Sequence, residues 1–200
     1  MVMKAVVLKK FGSAENLKIE SVPAPVLKSN EFLVKVYATS VTSADRRIRS
    51  LNLPFGFGLL GRLVYGFNKP KKAILGTELS GVVERVGSQI TRFKVGDKVV
   101  SMDGFNLGAY AQYKCFKESD AVALMPEGMT FEEAGSFCFG AATAWVYLSE
   151  KTQLYPSNRI LINGAGGSVG SAAVQIAKHL GAHVTAVCSE KSFNHVKSLG

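Results

Sequence analysis

The sequence predicts a mixed fold: an N-terminal β-barrel-type domain over residues 1–125, then the first strand, helix and strand of an α/β domain over residues 126–200. Three observations carry this. Short valine-rich runs separated by glycine and proline fill the first 125 residues, the pattern of small barrels and sandwiches. After "LMPEGM" (124–129) the hydrophobic spacing becomes helical. Four glycines, Gly164, Gly166, Gly167 and Gly170, then fall between a strand-like run and a helix-like run.

The elements follow in order. "KAVVLKK" (4–10), "LKIESV" (17–22) and "EFLVKVYATSV" (31–41) are rich in valine and alternate in part, as strands do. "LSGVVERVG" (79–87), "GDKVVSM" (96–102) and "GAYAQYKCF" (108–116) continue the series, with Gly12, Pro23, Pro25, Gly76, Gly87, Gly96 and Gly108 as punctuation. Thr130 followed three residues later by Glu133 is a capping-box signature. It predicts a helix through "TFEEAGSFCFGAATAWVYLSE", with a break near Gly140. "RILINGAG" (159–166) reads as a buried strand entering a turn, and "SVGSAAVQIAKHLG" (168–181) as a helix stopped by Gly181. "AHVTAVC" (182–188) is a second strand, and "FNHVKSLG" (193–200) begins another helix.

Composition narrows the function classes. At 200 residues, 47% hydrophobic and 20% charged, the chain has ample material for a core. Cys115, Cys138 and Cys188 are odd in number and far apart, which argues against a disulfide framework and for a reducing compartment, the cytoplasm. The longest apolar stretch, "LNLPFGFGLLGRLVYGF", is broken by Arg62 and four glycines and is too interrupted to span a membrane, so no membrane partner is expected. Of the net charge of +9, residues 1–100 hold 17 basic and 7 acidic side chains, and residues 101–200 hold 7 and 8. "RRIR" (46–49) and "KPKK" (69–72) are not interleaved with a nucleic-acid reading motif, so no nucleic-acid partner is expected. An anionic small ligand or a solvated basic face accounts for them.

The glycine cluster lies in a strand–turn–helix–strand unit of about thirty residues. There a tight turn, close approach of backbone N–H groups to a pyrophosphate, and close helix–strand packing each require a missing Cβ. The helix N-terminus offers free N–H groups and a positive dipole end to the anion. Gly164, Gly166, Gly167, Ser168 and Val169 are therefore predicted to line the pyrophosphate of a dinucleotide, a purely structural turn being the alternative.

Several segments carry a resemblance that covers essentially the whole chain: "KAVVLKKFG", "EFLVKVYATSVTSADRRIRS", "GTELSGVVERVG", "RFKVGDKV", "GAYAQY", "LMPEGMTFEEAG" and "NGAGGSVGSAAVQIAKHLGA". In these the chain resembles the medium-chain dehydrogenase/reductase superfamily, in its zinc-independent, quinone-oxidoreductase-like branch. The resemblance implies a GroES-like domain followed by a Rossmann domain, with hydride transfer in the cleft between them. It implies NADPH as cofactor, a quinone or an α,β-unsaturated carbonyl as acceptor, and a homodimer in the complete protein. Because the sequence stops after the second Rossmann strand, a truncated chain is expected.

The resemblance also assigns residues. The zinc-ligand positions of metal-dependent relatives fall on Thr42, Thr77 and Phe139, with Cys138 one residue out of register, so no metal site is expected. Thr42 and Arg47 stand where quinone oxidoreductases carry Asn and Tyr, and are the catalytic candidates; a solvated Arg47 is the alternative. Thr143 matches a threonine on the nicotinamide side, or is a plain core position. Glu78, shared with zinc-containing relatives, is read as half of a structural ion pair. Phe55, Phe57, Tyr65 and Phe67 either wall an apolar acceptor pocket or serve packing. Ser189, 19 residues beyond Gly170, is neutral where NAD sites place an acidic residue, and "CSEKS" resembles the phosphate-binding turn of NADPH-using relatives. Ser189 and Lys191 are thus predicted to hold a 2′-phosphate, with Glu190 turned away by strand alternation. The competing reading is a non-catalytic nucleotide-sensing or interaction protein on the same fold, or an inactive fragment.

Overall fold

A computed structural model describes residues 1–104 and 106–200. The chain forms two compact units, Met1–Ser136 and Phe137–Gly200.

In the first unit, β1 (Val2–Leu8) and β2 (Leu17–Pro23) make an antiparallel hairpin with Leu8 opposite Leu17. Strands β3 (Phe32–Thr39), β4 (Glu78–Val86), β5 (Lys98–Met102), β6 (Tyr113–Phe116) and β7 (Val122–Leu124) form a five-stranded antiparallel sheet in the order β6-β3-β4-β5-β7. Single bridges, Ala5 to Ala111 and Val7 to Ile74, tie the hairpin to the loops around that sheet. The core gathers Phe32, Val34, Leu79, Val83, Phe93, Val99 and Phe116. The Phe32 ring lies 4.6 Å from that of Phe93 and 5.8 Å from that of Phe116, within the range of favourable aromatic pairing.

Two helices interrupt the half read as strands and turns. Helix α1 covers Ser43–Ser50 and α2 covers Gly58–Tyr65. Thr42 starts α1 through a capping box: its hydroxyl accepts from the Asp45 N–H (3.2 Å), and the Asp45 carboxylate accepts from the Thr42 N–H (2.9 Å). The run over 108–116 forms a strand at Tyr113–Phe116 and otherwise a single bridge at Ala111, and β7, three residues long, is too short for an alternation pattern to show.

Helix α3 (Phe131–Trp145) starts at the expected capping box, with the Thr130 N–H donating to Glu133 Oε2 (2.8 Å) and the Glu133 N–H to Thr130 Oγ1 (3.2 Å). The backbone bond from Thr130 holds the Glu133 carboxyl below the usual range. The break expected near Gly140 does not occur. The helix runs through it and continues as a π-helical segment over Val146–Lys151. Gly140 instead serves close packing, since a Cβ there would lie 2.5 Å from Ser168 Oγ and 2.7 Å from the Ser168 carbonyl oxygen.

In the second unit β8 (Arg159–Asn163) pairs in parallel with β9 (His183–Val187), joined by α4 (Ser168–His179), and α5 (Phe193–Ser198) follows a 3-10 turn over Glu190–Ser192. Leu148, Ile162, Ala165, Val174, Ala177 and Val196 form its core. β8, expected to be a buried strand, has only Ile162 buried, and Leu161 is 65% exposed. The reason is a sheet of two strands in which Leu161 and Ile162 point to opposite faces. Among the described residues no helix is long and apolar enough to cross a membrane.

Candidate functional site

The glycine turn is built on the end of β8. The N–H groups of Gly164 and Ala165 both donate to the Val187 carbonyl (2.9 Å each), and the Gly167 N–H returns to the Gly164 carbonyl (3.0 Å). Gly164 has φ +77°, a backbone conformation that favours glycine. At Gly170 a Cβ would lie 2.2 Å from the Gly164 carbonyl oxygen and 2.8 Å from Ala165 Cα, so the first turn of α4 packs directly on the chain it follows. At Gly166 a Cβ would lie 2.5 Å from Ser192 Oγ.

Gly167 differs. A Cβ there meets only the Gly164 carbonyl oxygen, at 3.5 Å, an ordinary contact, and its φ of −88° suits any residue. Backbone conformation therefore explains Gly164 and packing explains Gly166 and Gly170, but neither explains Gly167. Gly167 is the N-cap of α4, with no side-chain cap. By helix geometry the N–H groups that follow lack intrahelical acceptors, and Gly167 and Ser168 are exposed. A bare, uncapped helix N-terminus of this kind fits a phosphate group.

The turn after β9 lies against this one, because Ser192 is the residue that packs on Gly166. Ser189 stands at the start of the 3-10 turn with no side-chain cap bond, its hydroxyl 3.3 Å from that of Ser192, and Glu190 and Lys191 are exposed. The strand ends at Val187, so the alternation used to turn Glu190 away does not extend that far: residues 190–192 are helical, not extended. The fold thus brings the predicted pyrophosphate residues and the Ser189–Lys191 segment together. Thr143 is partly buried on α3 and donates its hydroxyl to the Phe139 carbonyl (2.7 Å), one turn back.

The first unit holds a buried polar cluster at the ends of β3 and β4. Asp45 and Glu78 are each only 2% exposed. Asp45 Oδ2 accepts from the hydroxyls of Thr42 (2.6 Å) and Thr77 (3.4 Å). The Glu78 carboxylate accepts from the Ser40 hydroxyl, and its carbonyl from Thr39 Oγ1 (2.7 Å). Tyr110 donates to the Ser40 carbonyl (3.1 Å). Burial first, and then the Asp45 charge, keep its phenol protonated well above the ordinary range. Ser40, Asp45 and Tyr110 were not singled out from the sequence. Asp45 had a signal, a threonine three residues before an acid; Tyr110 had none, because only the fold places it there.

Thr42 and Thr77 therefore meet at one carboxylate oxygen. Neither hydroxyl is a zinc ligand of the usual kind, which is thiolate, imidazole or carboxylate. Among the described residues no group of three or more His, Cys, Asp or Glu is placed to hold a metal ion. Arg47 is exposed on α1 and lines a hollow of about 350 Å³ with Arg46, Ser50, Asn52, Leu53 and Pro54. It is Arg46, not Arg47, that sits one turn above Thr42, its N–H donating to the Thr42 carbonyl (3.2 Å). Phe55, Phe57 and Phe67 are exposed, whereas Tyr65 packs inward on Leu8, Ile48, Leu75 and Leu107. A larger hollow, about 510 Å³, carries Lys114 and Cys115. There Lys114 is paired with Asp103 (3.2 Å), and burial pushes the Cys115 thiol up to about 11, which leaves little thiolate for nucleophilic work.

Residues 28–154 match the family described as alcohol dehydrogenase GroES-like domain. The human mitochondrial NAD(P)H oxidoreductase RTN4IP1 is 33% identical over 215 aligned positions, covering 100% of this chain and 52% of the relative. The spinach chloroplastic quinone-oxidoreductase homolog is 35% identical over 197 positions, covering 94% and 56%. The solved structure of the quinone oxidoreductase from Coxiella burnetii superposes with a TM-score of 0.83 at 28% identity, covering 100% of this chain and 61% of that one. The chain spans about half the length of these curated relatives.

Proposed function

This chain belongs to the medium-chain dehydrogenase/reductase superfamily, in its quinone-oxidoreductase-like branch, and on that premise we propose that it serves an NADPH-dependent, zinc-independent reduction of quinones or α,β-unsaturated carbonyls. The observation that carries this reading is the uncapped start of α4 at Gly167, with the Ser189–Ser192 turn beside it. NADPH, when bound, supplies a hydride to an electron-poor carbon of the acceptor.

The residues have distinct tasks in this proposal. Gly164, Gly166, Gly167, Ser168 and Val169 line the pyrophosphate, and the backbone N–H groups of Gly166, Ser168 and Val169 hold it, since those of Gly164 and Gly167 are bonded within the turn. The Ser189 hydroxyl and the Lys191 ammonium hold the 2′-phosphate. Thr143 lies on the nicotinamide side. Thr42 and Arg47 face the acceptor, Arg47 as the cation that polarises a carbonyl oxygen. Threonine at positions 42 and 77 offers no zinc ligand of the usual kind there, which favours acceptors that are electrophilic already. The complete protein acts as a homodimer in the cytoplasm. One observation favours a second reading, a nucleotide-binding protein without turnover: the Thr42 hydroxyl is engaged with Asp45 in the α1 cap.

Lys191→Ala tests the cofactor assignment. Lys191 is exposed, so folding should be unaffected. Losing one charge-assisted bond should weaken NADPH binding about tenfold to a hundredfold while NADH binding barely moves. Titrations of wild type and variant with both cofactors measure this. Equal losses for both, or a wild-type preference for NADH, would assign the turn to Glu190 and a ribose hydroxyl instead.

A further inference from the structure

We propose that residues 53–71 form a docking surface for an anionic lipid bilayer, with the outer face of α2 lying in the interfacial layer and the surrounding cations on the headgroups. The proposal stands apart from the reductase reading, since no hydride-transfer step enters it.

Helix α2 has the sequence "GLLGRLVY". At about 100° per residue, Leu59, Leu60, Leu63 and Val64 share an arc of roughly 140°. All four are exposed, from 47% at Val64 to 67% at Leu59. The opposite side faces the protein: Gly61 is buried, a Cβ there would run into the Leu53 side chain, and Tyr65 packs on the Leu8–Ile48–Leu75–Leu107 cluster. The helix thus turns its larger apolar residues outward, the reverse of an ordinary surface helix. Phe55, fully exposed, and Phe57 extend the patch before the helix, and Phe67 extends it after. A contiguous apolar surface of this kind marks an interaction site.

Charge identifies the occupant. Residues 46–77 contain seven Lys or Arg and no Asp or Glu. The cations border the patch in space. Arg46 shares a hollow with Leu53 and Pro54 at one end. At the other end the Lys71 N–H donates to the Tyr65 carbonyl (2.8 Å), the Lys71 ammonium reaches the Leu63 carbonyl, and the Arg62 guanidinium donates to the Phe67 carbonyl (3.0 Å). A second copy of this chain would bring the same cations face to face, which opposes association. An anionic bilayer offers both what the apolar face and what its border require, and basic-bordered apolar helices lie in that interface. Crossing a membrane takes about twenty apolar residues, whereas a segment lying on the surface needs only one apolar face.

The test is flotation of the 200-residue chain with vesicles of phosphatidylcholine alone and of phosphatidylcholine mixed equally with phosphatidylglycerol. The chain should float with the mixed vesicles and not with the neutral ones. The double variants Leu59→Asp/Leu63→Asp and Lys69→Glu/Lys71→Glu should each lower partitioning by at least about tenfold. Leu63→Trp gives a reading that needs no charge introduced: indole emission, corrected for wild type, should shift to shorter wavelength on mixed vesicles. Absence of flotation, or flotation that survives the leucine substitutions, overturns the proposal. So does concentration-dependent self-association abolished by the leucine substitutions without vesicle capture, which would make the face an interface between copies.

Discussion

Gly170→Ala is expected to destabilise the second unit by ~1–3 kcal/mol, as overpacking does, and to abolish dinucleotide binding. Helix propensity predicts the opposite sign, because alanine favours a helix over glycine by about 1 kcal/mol. The geometry decides the outcome. The added methyl would sit 2.2 Å from the Gly164 carbonyl oxygen and 2.8 Å from Ala165 Cα, both backbone, so neither can rotate aside. Either α4 lifts off the turn or the turn opens, and both move the N–H groups assigned to the pyrophosphate. Gly167→Ala is the matched control. Its methyl meets nothing closer than 3.5 Å, so stability should hold while affinity for the dinucleotide falls. Urea unfolding followed by the fluorescence of Trp145, the single tryptophan and part of the second unit, measures the first effect. A stabilised Gly170→Ala protein would mean that α4 does not start on the turn as described.

Phe32→Ala should cost the first unit ~3–5 kcal/mol, the range for deleting a fully buried aromatic ring. Phe32 is 0% exposed and touches both Phe93 and Phe116, so the vacated space is bordered by rings that are themselves held in the sheet. Cavity closure would require β3 to move, and β3 is paired on both sides, to β4 and β6. Phe55→Ala, at a fully exposed position, should change stability little. Denaturation followed by far-ultraviolet circular dichroism separates the two. Similar losses from both substitutions would place the core elsewhere.

How much of this was legible in sequence depended on how local the signal was. The βαβ segment was, because strand, turn and helix follow each other and each leaves a pattern within about ten residues. The α3 start was, through Thr130 and Glu133. The same signature at Thr42 and Asp45 went unread, because α1 is only eight residues long and sits among strands. Helix α2 also escaped, since its apolar residues face outward and its N-cap, Phe57, offers no side-chain acceptor. At Gly140 the sequence was ambiguous: glycine breaks helices and also permits close approach, and only the position of Ser168 distinguishes these. The polar cluster was the least legible. Tyr110 meets Ser40 across seventy residues, and no pattern along a single chain records such a pairing.

The central claim is that the turns at Gly164–Gly170 and Ser189–Ser192 together hold an NADPH pyrophosphate and 2′-phosphate. Amide chemical shifts of the isotope-labelled chain, titrated in parallel with NADPH and NADH, test it most directly, and resolve weak binding residue by residue. The account predicts saturable shifts at Gly166, Gly167, Ser168 and Val169 with both cofactors. It predicts further shifts at Ser189, Lys191 and Ser192 with NADPH that NADH does not reproduce. No saturable shift at the glycine turn, or equal shifts at Ser189–Ser192 with the two cofactors, would contradict it.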